Sequence, residues 1–593
     1  MTGTPAAPSS SQGAQPPEEM RLDNGSRVAV VGGGPAGTFF SYFLLEMAER
    51  VGTELSVDIY EPRDFTRPGP AGCNMCGGII SESLVQLLAT EGINLPPSVV
   101  QRGIDSYVMH MDVGTVRIDP PRREKRIAAV HRGAGPRGII DARWQSFDDH
   151  LLQLAQQRGA KVVRARVDGI DFNGGKPRVT TKEGASGDYD LLVGAVGVNT
   201  AALKLFEELG SGYKAPGITK TYICEFLLGQ ETIKIYMGNS MHVFLLNLPR
   251  LEFAALIPKG DYVTVCMLGT SIDKSLVDQF LASPEVRECF PPDWSPPADF
   301  CRCSPAINVT AAIKPFADRV VLIGDSGVSR LYKDGIGGAY RTAKAAAKTA
   351  VFEGVSEEDF RKHYLPTCMS LNRDNAVGKV IFGITTLIQM TRTLRKGLLR
   401  MTAEEQATVG GAQRMSGVLW DTFTGSAPYT DVFRRSLHPM FLGKLLWDTG
   451  KALLPGLPAS WAKEEKVTYT EMGNLGKVYR SGEIIVRQGD VGDCMYFIQA
   501  GKVEVIKEKD GREVKLAELG QGEFFGEMAL FEKDVRSATV RPLGEVRVLS
   551  VDKKMFLRKI HDDPSLAFRV MQKMSRVIRQ LDNELLRLRS EES

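Results

Sequence analysis

Residues Phe525 to Val540, FGEMALFEKDVRSATV, gather the groups that a cyclic phosphate diester needs. A phosphate monoanion is held best by clustered backbone N–H donors and one fixed cation. Gly526, Glu527, Met528 and Ala529 supply the backbone, and Arg536, eight intervening residues beyond Glu527, supplies the cation. The Glu527 carboxylate can accept from the one ribose hydroxyl that ring closure at 3′ and 5′ leaves free, and the Ser537 hydroxyl can donate to the phosphate or to a purine substituent.

A second set stands near the other end. Arg27 to Phe40, RVAVVGGGPAGTFF, reads as a short β-branched strand running into Gly32, Gly34, Ala36 and Gly37 and then into a helix. The first glycine permits the turn, the second lets the backbone approach a pyrophosphate, and the third lets helix and strand pack closely. The diphosphate would sit at the positive end of that helix. The strand SVDIYEPR then brings in Glu61, 24 residues beyond Gly37, and Arg63. A carboxylate at that distance accepts from ribose hydroxyls. Much later, Asp318 to Arg341, DRVVLIGDSGVSRLYKDGIGGAYR, is another apolar strand ending in Gly324 and Asp325, followed by a glycine turn at Gly335, Gly337 and Gly338 that opens an alanine-rich helix.

Elements to hold these groups are written around them. With 593 residues the chain exceeds what one hydrophobic core supports, so two or three domains are expected. Its 74 basic and 71 acidic residues leave +3, too weak a field to draw in a nucleic acid. Residues 1–26 are rich in Pro, Ser, Gly and Gln without an apolar run and read as a disordered leader, which predicts a cytoplasmic protein. Nine cysteines in so long a chain are expected to be reduced thiols; a four-thiolate metal site from Cys73, Cys76, Cys301 and Cys303 is the weaker reading, and no metal is expected. No apolar run of about 18 residues predicts a membrane span.

About Arg27 to Tyr364, the chain resembles the FAD-dependent family of hydroxylases and geranylgeranyl reductases. The resemblance implies an FAD site in which Asp325, after Gly324, binds ribitol hydroxyls, Gly337 and Gly338 lie beside the flavin ring, and Arg143 touches the flavin. In DYDLLVGAVGVNT, Val196 stands where the hydroxylases carry an acid, which counts against a standard NAD(P)H-driven hydroxylase and leaves the electron donor open. NMCGGIIS is similar to the reductases' Cys-Gly-Gly stretch, so Cys76 is a candidate active-site residue, with a packing role as its alternative. The family's antiparallel substrate sheet falls at about 200–310.

From Leu475 to Val551 the sequence alternates β-rich runs with glycines at 482, 489, 501 and 520, and it resembles the cyclic nucleotide-binding domain family, with cyclic AMP favoured over cyclic GMP. Apolar residues at Val570, Met574, Ile578, Leu581, Leu585 and Leu588 then mark a helix that can close over the nucleotide or pair with its twin in a dimer. The chain ends at Ser593, before any helix-turn-helix, so a transcription factor is not expected.

The expected fold class is therefore an α/β FAD-binding Rossmann-like domain with an antiparallel substrate sheet (27–364), a helical segment (365–458), a linker (459–473), and a C-terminal β-roll cyclic nucleotide-binding domain with flanking helices (474–593). Ala376 to Met401 is apolar at helical spacing with Arg392, Arg395, Lys396 and Arg400 at its end, a pattern of a packed helix with a solvated basic end or of peripheral contact with a membrane. The expected function is reduction or oxidation of a hydrophobic, isoprenoid-like substrate by FAD under control of a cyclic nucleotide. An FAD monooxygenase and a non-catalytic redox or nucleotide sensor are the alternatives.

Overall fold

The structure is a computed structural model that describes residues 20–73, 76–120, 124–137, 144–184, 186–408, 411–451, 475–509, 511–531, 535–562 and parts of 567–586. Residues 1–19 of the leader, the whole of the linker, Arg143, Leu581, Leu585 and Leu588 lie outside the described residues.

A six-stranded sheet forms the base of the N-terminal half, in the order Phe316–Ala317, Val320–Leu322, Leu191–Gly194, Arg27–Val31, Ser56–Tyr60 and Lys161–Val163, parallel except for the first edge strand. Its central strands read as almost unbroken apolar runs because helices cover the sheet, and the helices Pro35–Val51 and Gly335–Phe352 pack on each other across it. Phe39, Phe43 and Tyr340 lock that helix pair edge to face, with ring centroids 5.4–5.6 Å apart between the two helices.

A seven-stranded sheet stands beside it, in the order Cys301–Cys303, Tyr222–Leu227, Tyr262–Gly269, Leu251–Lys259, Ser240–Phe244, Ser106–Met111 and Gly114–Ile118. It is antiparallel apart from the pair Ser240–Phe244 with Ser106–Met111. The expected bounds of about 200–310 therefore miss two of its strands. Ser106–Met111 and Gly114–Ile118 precede the rest by about a hundred residues and join by a parallel pairing, which local sequence does not announce.

Helices follow from Leu365 to Lys451. The expected Ala376–Met401 helix is in fact two, Leu365–Met390 and Arg392–Ala407, broken at Thr391 with extended backbone at φ −111°. Arg395 is not solvated either: its guanidinium is buried on Asp112, with Nη2 2.9 Å from Oδ2. No helix of the described residues is long and apolar enough to cross a membrane.

The C-terminal roll is a five-stranded antiparallel sheet built on Cys494–Lys509 and Thr539–Asp552, flanked by Lys477–Tyr479, Arg512–Leu519 and Phe524–Phe525. It is not an independent bead. Its Met495, Leu549, Val551 and Phe556 belong to the same continuous apolar core as Ile80 and Leu84 of the N-terminal half.

Candidate functional site

The two large sheets enclose a cavity of about 760 Å³. Gly32, Gly34 and Ala36 form one end of its wall, and Gly34 caps the helix Pro35–Val51 with no side chain, so the first-turn N–H groups remain aimed at the cavity end. Gly37 stands behind the lining, where an added Cβ would lie 1.9 Å from the Gly32 carbonyl oxygen; only glycine lets helix and turn approach so closely. Glu61 and Arg63 line the same end. The Glu61 carboxylate accepts from the Gly33 and Arg63 N–H groups at 2.9 Å each. Burial pushes its pKa up in spite of those two donors.

Asp325 lines the middle of the cavity. Burial raises its carboxyl above the usual range, opposed by a hydrogen bond from Ser329 and by the charge of Arg132. Arg132, also in the wall, is itself clamped on Asp148, with Nη2 2.9 Å from Oδ2. Gly324, Gly337 and Gly338 stand behind the lining, and the second glycine turn meets the cavity through Gly335 and Ile336. Gly337 backs on Asp334, whose carboxylate lies 2.3 Å from where a Cβ would be. Asp334 accepts from Ser81 at 2.7 Å, and it and Tyr332 adopt left-handed backbone (φ +55° and +59°), which sets the loop between them. Cys76 and Val196 are in the wall too. The far wall is apolar: Met241, Phe253, Ala255, Ile257 and Leu268 of the seven-stranded sheet.

Lys333, within Asp318–Arg341, is a lining residue that the sequence motifs do not single out. It lines the cavity between Phe253 and Phe423. The signal available in the sequence was its place just before the glycine turn at Gly335, but lysine in a loop ordinarily reads as a solvated charge.

In the C-terminal roll, Gly526 takes left-handed backbone (φ +82°) and leads through Glu527 into the short helix Met528–Phe531. Arg536 is drawn inward: Nη1 donates to the Gly526 carbonyl at 2.9 Å, Nη2 to the Cys494 carbonyl at 2.7 Å, and the side chain lies over Tyr496 with the residue 5% exposed. The cation expected for the phosphate is thus held by two backbone carbonyls. Ser537 Oγ is exposed and points to Met528 Sδ at 3.9 Å.

Cys494 also connects the cassette to the rest of the chain. It is the register partner of Asp552, which ends the strand that follows Arg536. Asp552 Oδ2 receives Arg126 Nη1 at 2.9 Å, and the same Nη1 donates to Glu82 Oε1 at 3.0 Å. Arg126 Nη2 donates to Ser550 Oγ, and Glu124 accepts from both the Ser550 N–H (2.8 Å) and its hydroxyl (2.5 Å). The other Glu82 oxygen holds Trp420 Nε1 at 2.7 Å and Ser426 Oγ at 2.9 Å. Glu82 begins the helix capped by Ser81, the partner of Asp334 in the cavity loop. A buried chain of ion pairs and hydrogen bonds therefore runs from the roll to the cavity wall. No sequence signal marks it, because its members are scattered single residues.

Cys73, Cys76, Cys301 and Cys303 do line one small cavity of about 40 Å³, but among the described residues the metal-type side chains that converge are His110, His242 and Cys289. That trio is already satisfied. His110 Nε2 meets His242 Nδ1 at 2.8 Å, and the outer ring nitrogens meet Thr115 Oγ1 at 3.1 Å and the Met237 carbonyl at 3.4 Å. Burial holds both imidazoles neutral, His242 down to about 4.

Residues 476–563 match the cyclic nucleotide-binding domain family. The C-terminal roll has that fold. Its relatives include the cAMP-dependent protein kinase type II regulatory subunit of Drosophila melanogaster, 44% identical over 85 residues, which are 14% of this chain and 22% of that protein. The cyclic AMP receptor protein of Thermus thermophilus is 34% identical over 118 residues, 20% of this chain and 55% of that protein. The chain thus spans about a fifth to about half of the length of these relatives. Among solved structures, a flavoprotein/dehydrogenase from Cytophaga hutchinsonii aligns over 72% of this chain and 98% of its own at 16% identity and a TM-score of 0.48. Halogenase PltM in complex with phloroglucinol and FAD aligns over 72% and 97% at 12% identity and a TM-score of 0.47.

Proposed function

We propose that the chain is an FAD-dependent oxidoreductase acting on a hydrophobic, isoprenoid-like substrate, and that cyclic nucleotide binding to its C-terminal roll, with cyclic AMP favoured, regulates it. The observation that carries the reading is a cavity that joins a dinucleotide loop at Gly32 and the half-buried Asp325 to the apolar face of the seven-stranded sheet.

The residues fit FAD. Open N–H groups at the Gly34 helix start suit the pyrophosphate, Glu61 suits a ribose, and Asp325, raised by burial, gains hydroxyl donors from a ribitol chain. When bound, the cofactor supplies hydride transfer at its ring. The protein's part is to orient the substrate on the sheet, to exclude water with the apolar wall, and to hold the loop Tyr332–Gly335 against the reacting end through Ser81 and Asp334. Reductase and monooxygenase chemistry separate by product: the reductase saturates an alkene without incorporating oxygen, and oxygen uptake tied to substrate would overturn it.

Regulation follows from the cassette's own bonds. An anionic phosphate competes for the Arg536 guanidinium with the carbonyls of Gly526 and Cys494, and a shift at Cys494 bears on Asp552 and so on Arg126 and Glu82. Entry of substrate from a lipid surface is supported by an exposed apolar stripe, Val380, Ile384, Leu387 and Met390, with Leu446 and Trp447 on the helix Pro439–Lys451. Mass spectrometry of the small molecules released from purified protein tests the whole reading: FAD and cyclic AMP are expected, and a colourless protein that releases no FAD would overturn it.

A further inference from the structure

Lys333 is a half-buried lysine that lines the cavity without an acid beside it. Its Nζ lies 3.8 Å from the centre of the Phe253 ring and 5.4 Å from that of Phe423. Phe253 comes from the strand Leu251–Lys259 and Phe423 from the helix Arg414–Thr424, so the ammonium sits where sheet and helical cap meet, inside the cavity wall. Among the described residues no carboxylate lies within ion-pair distance of it. The acids nearest in sequence and space are engaged elsewhere: Glu252 takes the Tyr332 hydroxyl at 3.4 Å, and Asp334 holds Ser81 and faces Arg330 at 3.5 Å. Cys266 is the titratable neighbour whose charge bears on Lys333, and burial pushes that thiol up to about 12, so it is protonated and neutral.

Two ring faces recover part of the cost of thinning the water around an ammonium, and an anion in the cavity can supply the remainder. Burial accordingly pulls Lys333 down to about 7. The open side of Nζ is the cavity itself, whose adjoining surface of Phe253, Ala255, Ile257 and Leu268 is apolar.

We infer that the hydrophobic substrate carries one carboxylate head group that pairs with Lys333 Nζ while its hydrocarbon lies along Phe253 and the seven-stranded sheet. The substrate class is then a long-chain or isoprenoid acid rather than a neutral quinone or alcohol. This rests on reading the cavity as the substrate site of a flavoenzyme. A single ammonium flanked by aromatic rings suits a compact, singly charged head better than a heavily hydrated one.

The test uses the full-length protein with oleate and oleyl alcohol as matched probes, below their aggregation limits, followed by calorimetry at pH 8 in two buffers of different ionisation enthalpy. Oleate is expected to bind at least about tenfold more tightly than the alcohol, as a charge-assisted hydrogen bond provides. It should also take up protons, because an amine that titrates near 7 is mostly neutral at pH 8 and becomes charged on pairing. Lys333→Met should level the two probes and abolish the uptake, and Lys333→Arg should keep the preference without the uptake, since a guanidinium is always charged. Equal affinities in the wild type, binding of neither probe, or an oleate preference that survives Lys333→Met overturns the inference. The titration reads the cavity with or without flavin, so a protein that releases no FAD yet prefers oleate through Lys333 would refute the flavoenzyme reading and leave this assignment standing.

Discussion

Replacing Arg126 by methionine keeps the aliphatic stem and removes the charge that joins the roll to the N-terminal half. Arg126 and Glu124 are each 5% exposed, and the guanidinium meets Glu82 at 3.0 Å, Glu124 at 3.1 Å and Asp552 at 2.9 Å. Its loss strands the carboxylates of Glu82 and Glu124 in a dry interface, and breaking a buried pair from one side costs about 3–5 kcal/mol, more than a hundredfold in an equilibrium constant at about 1.4 kcal/mol per tenfold. The assay is urea unfolding at pH 7.5 followed separately by tryptophan fluorescence and by flavin release, since a chain of several domains need not unfold in one step. The first transition should move to lower urea. A deficit under about 1 kcal/mol, the scale of an exposed pair, would refute the claim that this arginine ties the roll down.

Gly37→Ala should abolish FAD retention, measured as the flavin-to-protein absorbance ratio, because its Cβ would lie 1.9 Å from the Gly32 carbonyl oxygen. Asp325→Asn should raise the melting temperature of the flavin-free protein at pH 7 while weakening FAD binding at least about tenfold, the worth of a hydrogen bond to a charged group. The buried carboxyl titrates above its usual 3.8, so the folded state loses stability as pH rises through that unfolded value, and the amide escapes the loss. A double change of Leu387→Glu and Leu446→Glu, at positions 57% and 70% exposed, should abolish flotation with anionic liposomes and leave the fold intact; a wild type that never floats refutes the membrane contact.

Much of this molecule was legible because its chemistry is local. The Gly32 turn, Glu61 and the Gly324–Asp325 strand end are contiguous motifs, and they meet in one cavity. The roll's long strands and the span from Gly526 to Arg536 are equally local. What sequence could not reveal depends on distant pairing. Ser106–Met111 pairs with a strand about 130 residues further on, and Arg126 finds Asp552 across 426 positions. Arg395 and Lys333 carry a different lesson: charged residues beside apolar helices or glycine turns read as solvated, yet one is buried on Asp112 and the other faces a cavity. Arg536 shows the same limit, since its type and spacing were plain but its bonds to the Gly526 and Cys494 carbonyls were not.

Control of the flavin by the nucleotide is read from the rate of flavin reduction by dithionite, followed at the flavin absorbance in a stopped-flow instrument with and without saturating cyclic AMP. Coupling between sites of about 1–3 kcal/mol corresponds to about fivefold or more. A change of that order, tracking nucleotide occupancy and lost in Arg536→Ala, is the predicted result. Identical rates at zero and saturating nucleotide, in a yellow protein that binds it, would contradict the account.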